Sequence, residues 1–130
     1  MTKRQMTPFE AWVDRWSIGP GMNDRGDRYS GFDGSVGLGW IPILDDLAAD
    51  LYALGWTGKV AQIKEKFGTL RFYLDGGTEA LYERVSQAEQ LSAVTCEVCG
   101  APGELRGGGW LKTLCDSCAQ GRPACGSIVT

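Results

Sequence analysis

Four cysteines form two identical pairs near the end of the chain, and this arrangement constrains the fold more than any other feature. The pairs are Cys96-Glu97-Val98-Cys99 and Cys115-Asp116-Ser117-Cys118, separated by residues 100–114. Two CxxC pairs at this spacing are typical of a tetrahedral zinc site in which every ligand is a thiolate. Such a shell has no coordination position for a substrate. The sequence therefore predicts one structural Zn²⁺, bound by Cys96, Cys99, Cys115 and Cys118.

Two other kinds of thiol site are alternatives to structural zinc. An iron–sulfur cluster also takes four cysteines, but the ferredoxin pattern spaces them more tightly. A redox-active CxxC needs only one pair, so the second pair would have no explanation. The fifth cysteine, Cys125, has only Arg122 as a nearby cation. We expect it to be an exposed thiol without a catalytic role, because a reactive thiol needs a neighbouring base or cation.

The composition limits the classes of function. The 130 residues include no histidine and carry a formal net charge of −3. The absence of histidine removes Ser-His and Cys-His nucleophile systems, and the negative charge disfavours nonspecific binding to phosphate backbones. No apolar run is long enough to cross a membrane, and the charged start of the chain has no secretory signal. The sequence predicts a soluble cytoplasmic protein.

The spacing of apolar residues predicts an α+β core. Helices are expected over residues 7–16, from Pro42 to about Leu54, and from Thr78 to about Ala93, with Thr7 and Thr78 as the N-caps of the first and last. Residues 59–66 and 69–75 are expected to form a hairpin. The hairpin turns at Phe67-Gly68, so Ile63 should lie opposite Phe72 and Ala61 opposite Leu74. Ser17 to Gly39 is rich in glycine and is expected to be an irregular loop.

These elements predict a two-layer helix–hairpin–helix core followed by a four-cysteine zinc-ribbon module. The core, with the N-terminal helix and the glycine-rich loop, is expected over residues 1–94. The ribbon should span residues 95–121 and pack on the core, with a hairpin between its two cysteine pairs. Residues 122–130 are expected to be a loose tail.

One face of the predicted hairpin is the only concentrated basic surface of the chain. An ordinary solvated sheet face, a protein-binding face and a nucleic-acid-binding face all fit its composition. The tryptophans beside glycines fit either core packing or partner contact, because Trp is a typical interface anchor. We expect Trp110 to pack between the ribbon and a neighbouring helix. The candidate partner-binding residues are Gln62, Lys64, Lys66, Arg71, Tyr73, Trp40 and Trp56.

The acidic residues of the glycine-rich loop are the alternative candidates for a site. Asp24, Asp27 and Asp33 could hold a cation or act as catalysts, but their spacing does not match an EF-hand loop. The chain also has no P-loop and no nucleophile-elbow motif. Because no nucleophile is paired with a base, we predict no catalytic residue, no small-molecule substrate and no enzymatic activity.

Several short runs between residues 39 and 119 form a distinctive combination. They are Gly39-Trp40-Ile41-Pro42, Lys64-Glu65-Lys66-Phe67-Gly68-Thr69-Leu70-Arg71-Phe72-Tyr73, Cys96-Glu97-Val98-Cys99-Gly100-Ala101-Pro102-Gly103, Gly109-Trp110 and Leu114-Cys115-Asp116. In these runs the chain resembles a group of small bacteriophage and prophage proteins of uncharacterised function. The resemblance implies a phage setting, in which small accessory proteins bind and redirect host machinery, including defence complexes.

The predicted function is that of a non-enzymatic, zinc-binding accessory protein. It is expected to bind a host protein or complex in the host cytoplasm, as an inhibitor or modulator of a host defence system. The alternative is a nucleic-acid-binding zinc-ribbon module that uses the basic hairpin face. No membrane partner is predicted.

Overall fold

The chain combines helices with two small sheets. A computed structural model describes residues 7–20, 36–107 and 111–120, and in them the predicted α+β class is confirmed. The expectations for Asp24, Asp27 and Asp33, for Trp110, for Cys125 and for the tail lie outside the described residues. The elements in chain order are α1 (Pro8–Trp16), β1 (Gly19–Pro20), a 3₁₀ turn (Leu38–Trp40), α2 (Ile41–Ala53), β2 (Lys59–Lys66), β3 (Thr69–Leu74), α3 (Glu79–Ser92), β4 (Glu104–Arg106), β5 (Lys112–Leu114) and α4 (Asp116–Ala119).

Side-chain caps define where two of the helices begin. The Thr7 hydroxyl accepts from the Glu10 amide at 3.1 Å, and the Thr7 amide donates to the Glu10 carboxylate at 2.8 Å. This reciprocal pair is a capping box, and it satisfies amides that the first turn of α1 cannot use. Thr78 caps α3 by accepting from the Leu81 amide at 3.3 Å. Both caps are at the threonines that the sequence predicts.

The turn between β2 and β3 sets the register of the hairpin. Phe67 and Gly68 both have positive φ, 55° and 83°, as a two-residue type I′ turn requires. The predicted pairs from Lys66–Thr69 to Gln62–Tyr73 are confirmed. The predicted pair of Ala61 with Leu74 is wrong, because a bulge between Val60 and Gln62 places Val60 opposite Leu74.

A short parallel strand extends this sheet. Gly19–Pro20, predicted to be irregular loop, pairs with Lys59 and Val60, and the Gly19 amide donates to the Gly58 carbonyl at 2.9 Å. Two residues are too few to show the period-2 alternation by which a strand is predicted. The order in the sheet is therefore β1-β2-β3.

The core lies between the apolar face of the hairpin and helices α1 to α3. Trp12 is fully buried and meets the Phe72 ring edge-on, with 6.4 Å between the ring centroids. The Trp56 ring also packs against Phe72, with 6.1 Å between the ring centroids. The buried side chains around these rings include Ile18, Leu44, Leu47, Leu51, Val60, Ile63, Leu70, Leu81 and Val85.

Helix α3 also covers the outer edge of β3. The Leu70 amide donates to the Ser92 hydroxyl at 2.9 Å, and the Phe72 amide donates to the Glu89 carboxylate at 2.9 Å. These amides point away from β2, so the helix supplies the acceptors that a further strand would otherwise supply. At this end of α3, Ser92 is buried and Leu91 is exposed.

Replacing Ser92 by alanine should destabilise the protein by about 1–3 kcal/mol, because the buried Leu70 amide would lose its acceptor. Ser86→Ala, on the exposed face of the same helix, is the matched control and should change the free energy of unfolding by less than about 0.5 kcal/mol. Urea unfolding of both variants measures the difference. Equal losses in the two variants would contradict the capping role of Ser92.

Candidate metal centre

The first cysteine pair lies in a tight knuckle after α3. Thr95 pairs with Pro102 in an isolated bridge, and the Cys96 amide donates to the Ala101 carbonyl at 2.7 Å. The Gly100 amide donates to the Cys96 carbonyl at 2.8 Å, and Gly100 has a φ of 87°. This left-handed conformation favours glycine directly after the second cysteine, because a Cβ makes it unfavourable.

The second pair follows the β4–β5 hairpin. β5 ends at Leu114, and Cys115 is the N-cap of the short helix α4, where its sulfur accepts from the Cys118 amide at 3.4 Å. The Glu97 amide donates to the Thr113 carbonyl at 3.0 Å. This hydrogen bond joins the first knuckle to β5 and brings the two cysteine pairs together.

The four predicted ligands converge on one point. Their sulfur atoms all lie within 4.8 Å of one another, close enough for one metal ion to contact all four. Cys96 and Cys115 are buried, and Cys99 and Cys118 are half-buried. Cys96, Cys115 and Cys118 are free thiols, whereas Cys99 is disulfide-bonded. Loading of a metal therefore requires reduction of Cys99, because only a thiolate can ligate the ion.

Backbone amides stabilise negative charge on this cluster. Burial raises the pKa of Cys96, but hydrogen bonds from the amides of Cys115, Cys99 and Val98 outweigh it, and the net pKa is lowered. Burial, reinforced by hydrogen bonds with Cys96 and Cys115, raises the pKa of Cys118 to about 12. Negative charge on Cys96 or Cys115 also raises the pKa of Cys118, because one thiolate disfavours the next.

The first knuckle docks on the core through two glycines. The Gly39 amide donates to the Glu97 carbonyl at 2.9 Å, and the Trp40 indole donates to the Thr95 carbonyl at 2.9 Å. A Cβ on Gly39 would lie 2.1 Å from the Cys96 carbonyl oxygen, and one on Gly37 would lie 2.0 Å from the Glu97 carbonyl oxygen. No side chain fits at either position, so the 3₁₀ turn and the knuckle are in direct backbone contact.

The hairpin turn makes the second contact with the candidate metal-binding module, which comprises residues 95–107 and 111–120. The buried Thr113 hydroxyl donates to the Gly68 carbonyl at 2.7 Å. Nearby, the Lys112 ammonium lies 3.4 Å from the Glu97 carboxylate, which is only 6% exposed. Burial raises the pKa of Glu97, and Lys112 partly opposes this shift. The module therefore rests on the core at the 3₁₀ turn and at the tip of the β2–β3 hairpin.

Gly39→Ala should lower the free energy of unfolding by at least about 2 kcal/mol, because the new methyl group meets backbone atoms that cannot rotate away. Gly19→Ala is the control, since the nearest atom to its Cβ is the Lys59 ammonium nitrogen at 3.8 Å. Chemical denaturation of the reduced protein compares the two. A Gly39→Ala protein as stable as the Gly19→Ala protein would contradict the backbone contact.

The hairpin register brings the predicted basic residues onto one face. Lys64 lies directly opposite Arg71, and Gln62 lies opposite Tyr73. Lys66 and Tyr73 are exposed, and Gln62, Lys64 and Arg71 are half-buried. Across the described ranges of the chain, Lys64, Lys66 and Arg71 form no ion pair, and the buried Nε of Arg71 has no hydrogen-bond partner. Like charges directly opposite each other are unfavourable, and no acid in the described residues offsets the charge of Lys64 or Arg71 by an ion pair.

The two candidate tryptophans are not on this face. Trp40 is fully buried and Trp56 is 5% exposed. The Trp56 indole donates to the Lys59 carbonyl at 3.1 Å, and its ring packs on Tyr52. The expectation that Trp40 and Trp56 contact a partner is therefore wrong, because both rings fill the core and their N–H groups are used within the chain.

Phe67 is a further candidate site residue, which the sequence identifies only as part of the hairpin turn. Its ring is 62% exposed at the tip of the hairpin, and the Lys66 ammonium lies 5.4 Å from the ring centroid. The signal in the sequence is the aromatic residue before Gly68, where a type I′ turn prefers asparagine, aspartate or glycine.

Comparisons with known proteins find no match: no family model, no curated protein and no solved structure is similar to the chain. The resemblance to phage proteins therefore stays a prediction. Among the residues described, no helix has the length and apolar character needed to cross a membrane.

Proposed function

We propose that this chain is a non-enzymatic zinc-binding protein that uses the basic face of its β2–β3 hairpin to bind an acidic surface of a partner protein. The basic face consists of Gln62, Lys64, Lys66, Arg71 and Tyr73. The observation that carries the proposal is the set of lysine and arginine side chains on this face that have no ion-pair partner among the described residues.

Zinc is the metal that best fits the cysteine cluster. A tetrahedral site with Zn–S distances of about 2.3 Å has sulfurs about 3.8 Å apart. The Cys99 and Cys115 sulfurs lie 3.8 Å apart. Four thiolates in this geometry favour zinc over the hard cations, which prefer oxygen ligands. The ion would act as a structural cross-link between the knuckle and α4, with no position left for a substrate.

Protein expressed with zinc and purified under reducing conditions should contain one zinc ion per chain. Cys96→Ser and Cys115→Ser should each lose most of the metal, because each removes one of four ligands. Cys125→Ser keeps all four predicted ligands, so this control should keep the metal under the same reducing conditions. Native mass spectrometry together with elemental analysis measures the ratio. Iron in place of zinc, or full zinc retention by Cys96→Ser, would contradict this assignment.

The small size of the basic face favours a protein over a nucleic acid as the binding partner. Its three cross-strand rows are separated by two residues each, so the face is about 14 Å long. Strong binding to nucleic acid generally needs many phosphate contacts, and a longer strand would meet a chain whose net charge is −3. A discrete acidic cluster on a protein matches the small face without this repulsion.

The wider biological setting belongs to the same proposal. The resemblance to phage proteins supports a host protein or complex as the partner, encountered in the host cytoplasm, with inhibition or modulation of a defence system as the outcome. The absence of histidine supports a role in binding, since the common nucleophile systems depend on that residue.

Nucleic-acid binding is the second candidate, and the exposed Tyr73 favours it. Tyr73 lies beside the Lys64–Arg71 row on the same face, and an aromatic ring next to cations can stack a base while the cations contact phosphates. This alternative requires an affinity that falls steeply with salt.

Affinity purification from host cells tests the proposal. The tagged wild-type protein should retain a protein partner after nuclease treatment, and Lys64→Gln/Arg71→Gln should reduce its recovery at least about tenfold, because close charge pairs across interfaces contribute more than about 1.4 kcal/mol. Gln87→Glu/Gln90→Glu changes the net charge by the same amount on exposed positions of α3. This control should keep the partner. Recovery of only RNA or DNA, lost on nuclease treatment, would favour the second candidate and contradict the first.

A further inference from the structure

We infer that Phe67 is the anchor of the interface, and that it inserts into an apolar pocket of the partner protein whose rim carries aspartate or glutamate. The inference rests on the proposed function, in that the partner is taken to be a protein that meets the hairpin. Beyond the proposed function, the inference names the residue that enters the partner and the chemistry of the partner's pocket.

The backbone of Phe67 is in an unfavourable conformation for a phenylalanine. Its φ of 55° lies in the left-handed region, where the Cβ of an L-residue comes too close to the following carbonyl oxygen. The other non-glycine residue with positive φ in the described ranges is Ser17, a small polar residue at the end of α1. An asparagine or glycine at position 67 would form the same turn at lower cost.

Packing does not explain the phenylalanine. Its ring is the most exposed of the large apolar side chains in the described residues, at 62%. The neighbour that the structure places over the ring is the Lys66 ammonium, itself on an exposed side chain. A residue that combines an unfavourable φ with an exposed aromatic ring stabilises neither the turn nor the core. Such outliers are found preferentially at functional sites.

The structure holds the turn rigidly below this ring. The Gly68 amide donates to the Glu65 carboxylate at 2.7 Å, and the Gly68 carbonyl accepts from the buried Thr113 hydroxyl at 2.7 Å. A Cβ on Gly68 would lie 2.5 Å from a Leu105 methyl carbon. The metal-binding module thus fixes the residue next to Phe67. A rigidly presented aromatic side chain loses little entropy on binding, as an interface anchor should.

The charges around Phe67 indicate which kind of partner pocket would receive its ring. Lys66 precedes it, and the Lys64–Arg71 pair is the next basic row on the same face. An apolar pocket with an acidic rim complements both the ring and these cations. A second copy of the chain does not, because a symmetric contact through the hairpin tips would bring the same cations together.

A displayed library of random dodecapeptides is a defined probe for this chemistry. Selection on the reduced, zinc-loaded protein should enrich peptides with aliphatic or aromatic residues flanked by Asp or Glu. Synthetic forms of these peptides should bind Phe67→Asn at least about tenfold more weakly than the wild type, as expected for loss of an aromatic hot spot. Tyr82→Asn removes another exposed aromatic ring, on α3, and should bind like the wild type.

Stability separates an anchor from a structural residue. Because asparagine adopts positive φ more readily than phenylalanine, Phe67→Asn should melt at the same temperature as the wild type or above it. A clear decrease in melting temperature would assign Phe67 to the fold and overturn the inference. Peptide binding that is unchanged in Phe67→Asn would also overturn the inference. The same holds if the wild type self-associates and Phe67→Asn does not, or if the protein binds an oligothymidylate strand through Phe67.

The same peptides distinguish failure of this inference from failure of the proposed function. If Lys64→Gln/Arg71→Gln abolishes binding and Phe67→Asn does not, the basic face is the binding site and Phe67 is not its anchor. If neither variant changes peptide binding, the hairpin is not the binding surface, and both proposals are contradicted.

Discussion

Direct backbone contact between the 3₁₀ turn and the first cysteine knuckle is the constraint on which the rest of the structure depends. Gly39 has no room for a Cβ beside the Cys96 carbonyl, and its amide donates to the Glu97 carbonyl. The residues just before α2 are thereby fixed to the residues just after α3. Because α2 and α3 also pack on each other and share one buried cluster with the hairpin, the cysteine cluster is attached to the ends of two core helices.

Through this attachment, a metal ion bound by the four cysteines would influence a surface that contains none of its ligands. Structural zinc in small modules contributes about 10–16 kcal/mol of binding free energy, which is also folding free energy. Part of it can stabilise the hairpin tip, since Thr113 in β5 donates to the Gly68 carbonyl. In the proposed function the cluster is then a scaffold that presents the tip and the basic face in one orientation, and the partner is proposed to bind at these surfaces.

The sequence was sufficient where local chemistry determines the structure. The caps at Thr7 and Thr78, the Phe67-Gly68 turn and the convergence of four cysteines each follow from residue type and short-range spacing. The sequence was insufficient where packing between distant parts of the chain determines the structure. The burial of Trp40 and Trp56 depends on elements distant in the chain, the bulge at Ala61 leaves no mark in the apolar pattern, and β1 is too short to show one. The anchor role proposed for Phe67 rests on its backbone φ and on the exposure of its ring. Neither can be read from the periodicity of apolar residues in the sequence.

The central claim is that the metal centre and the core are coupled through the Gly39 contact. Amide hydrogen exchange at Gly39, measured by NMR on the reduced protein with zinc and after removal of zinc by a chelator, tests it most directly. The account predicts that removal of the metal speeds exchange at Gly39 at least about tenfold, corresponding to a loss of about 1.4 kcal/mol in local stability, and that exchange at Leu47 in the middle of α2 increases less. Unchanged protection at Gly39 after zinc removal would contradict the claim.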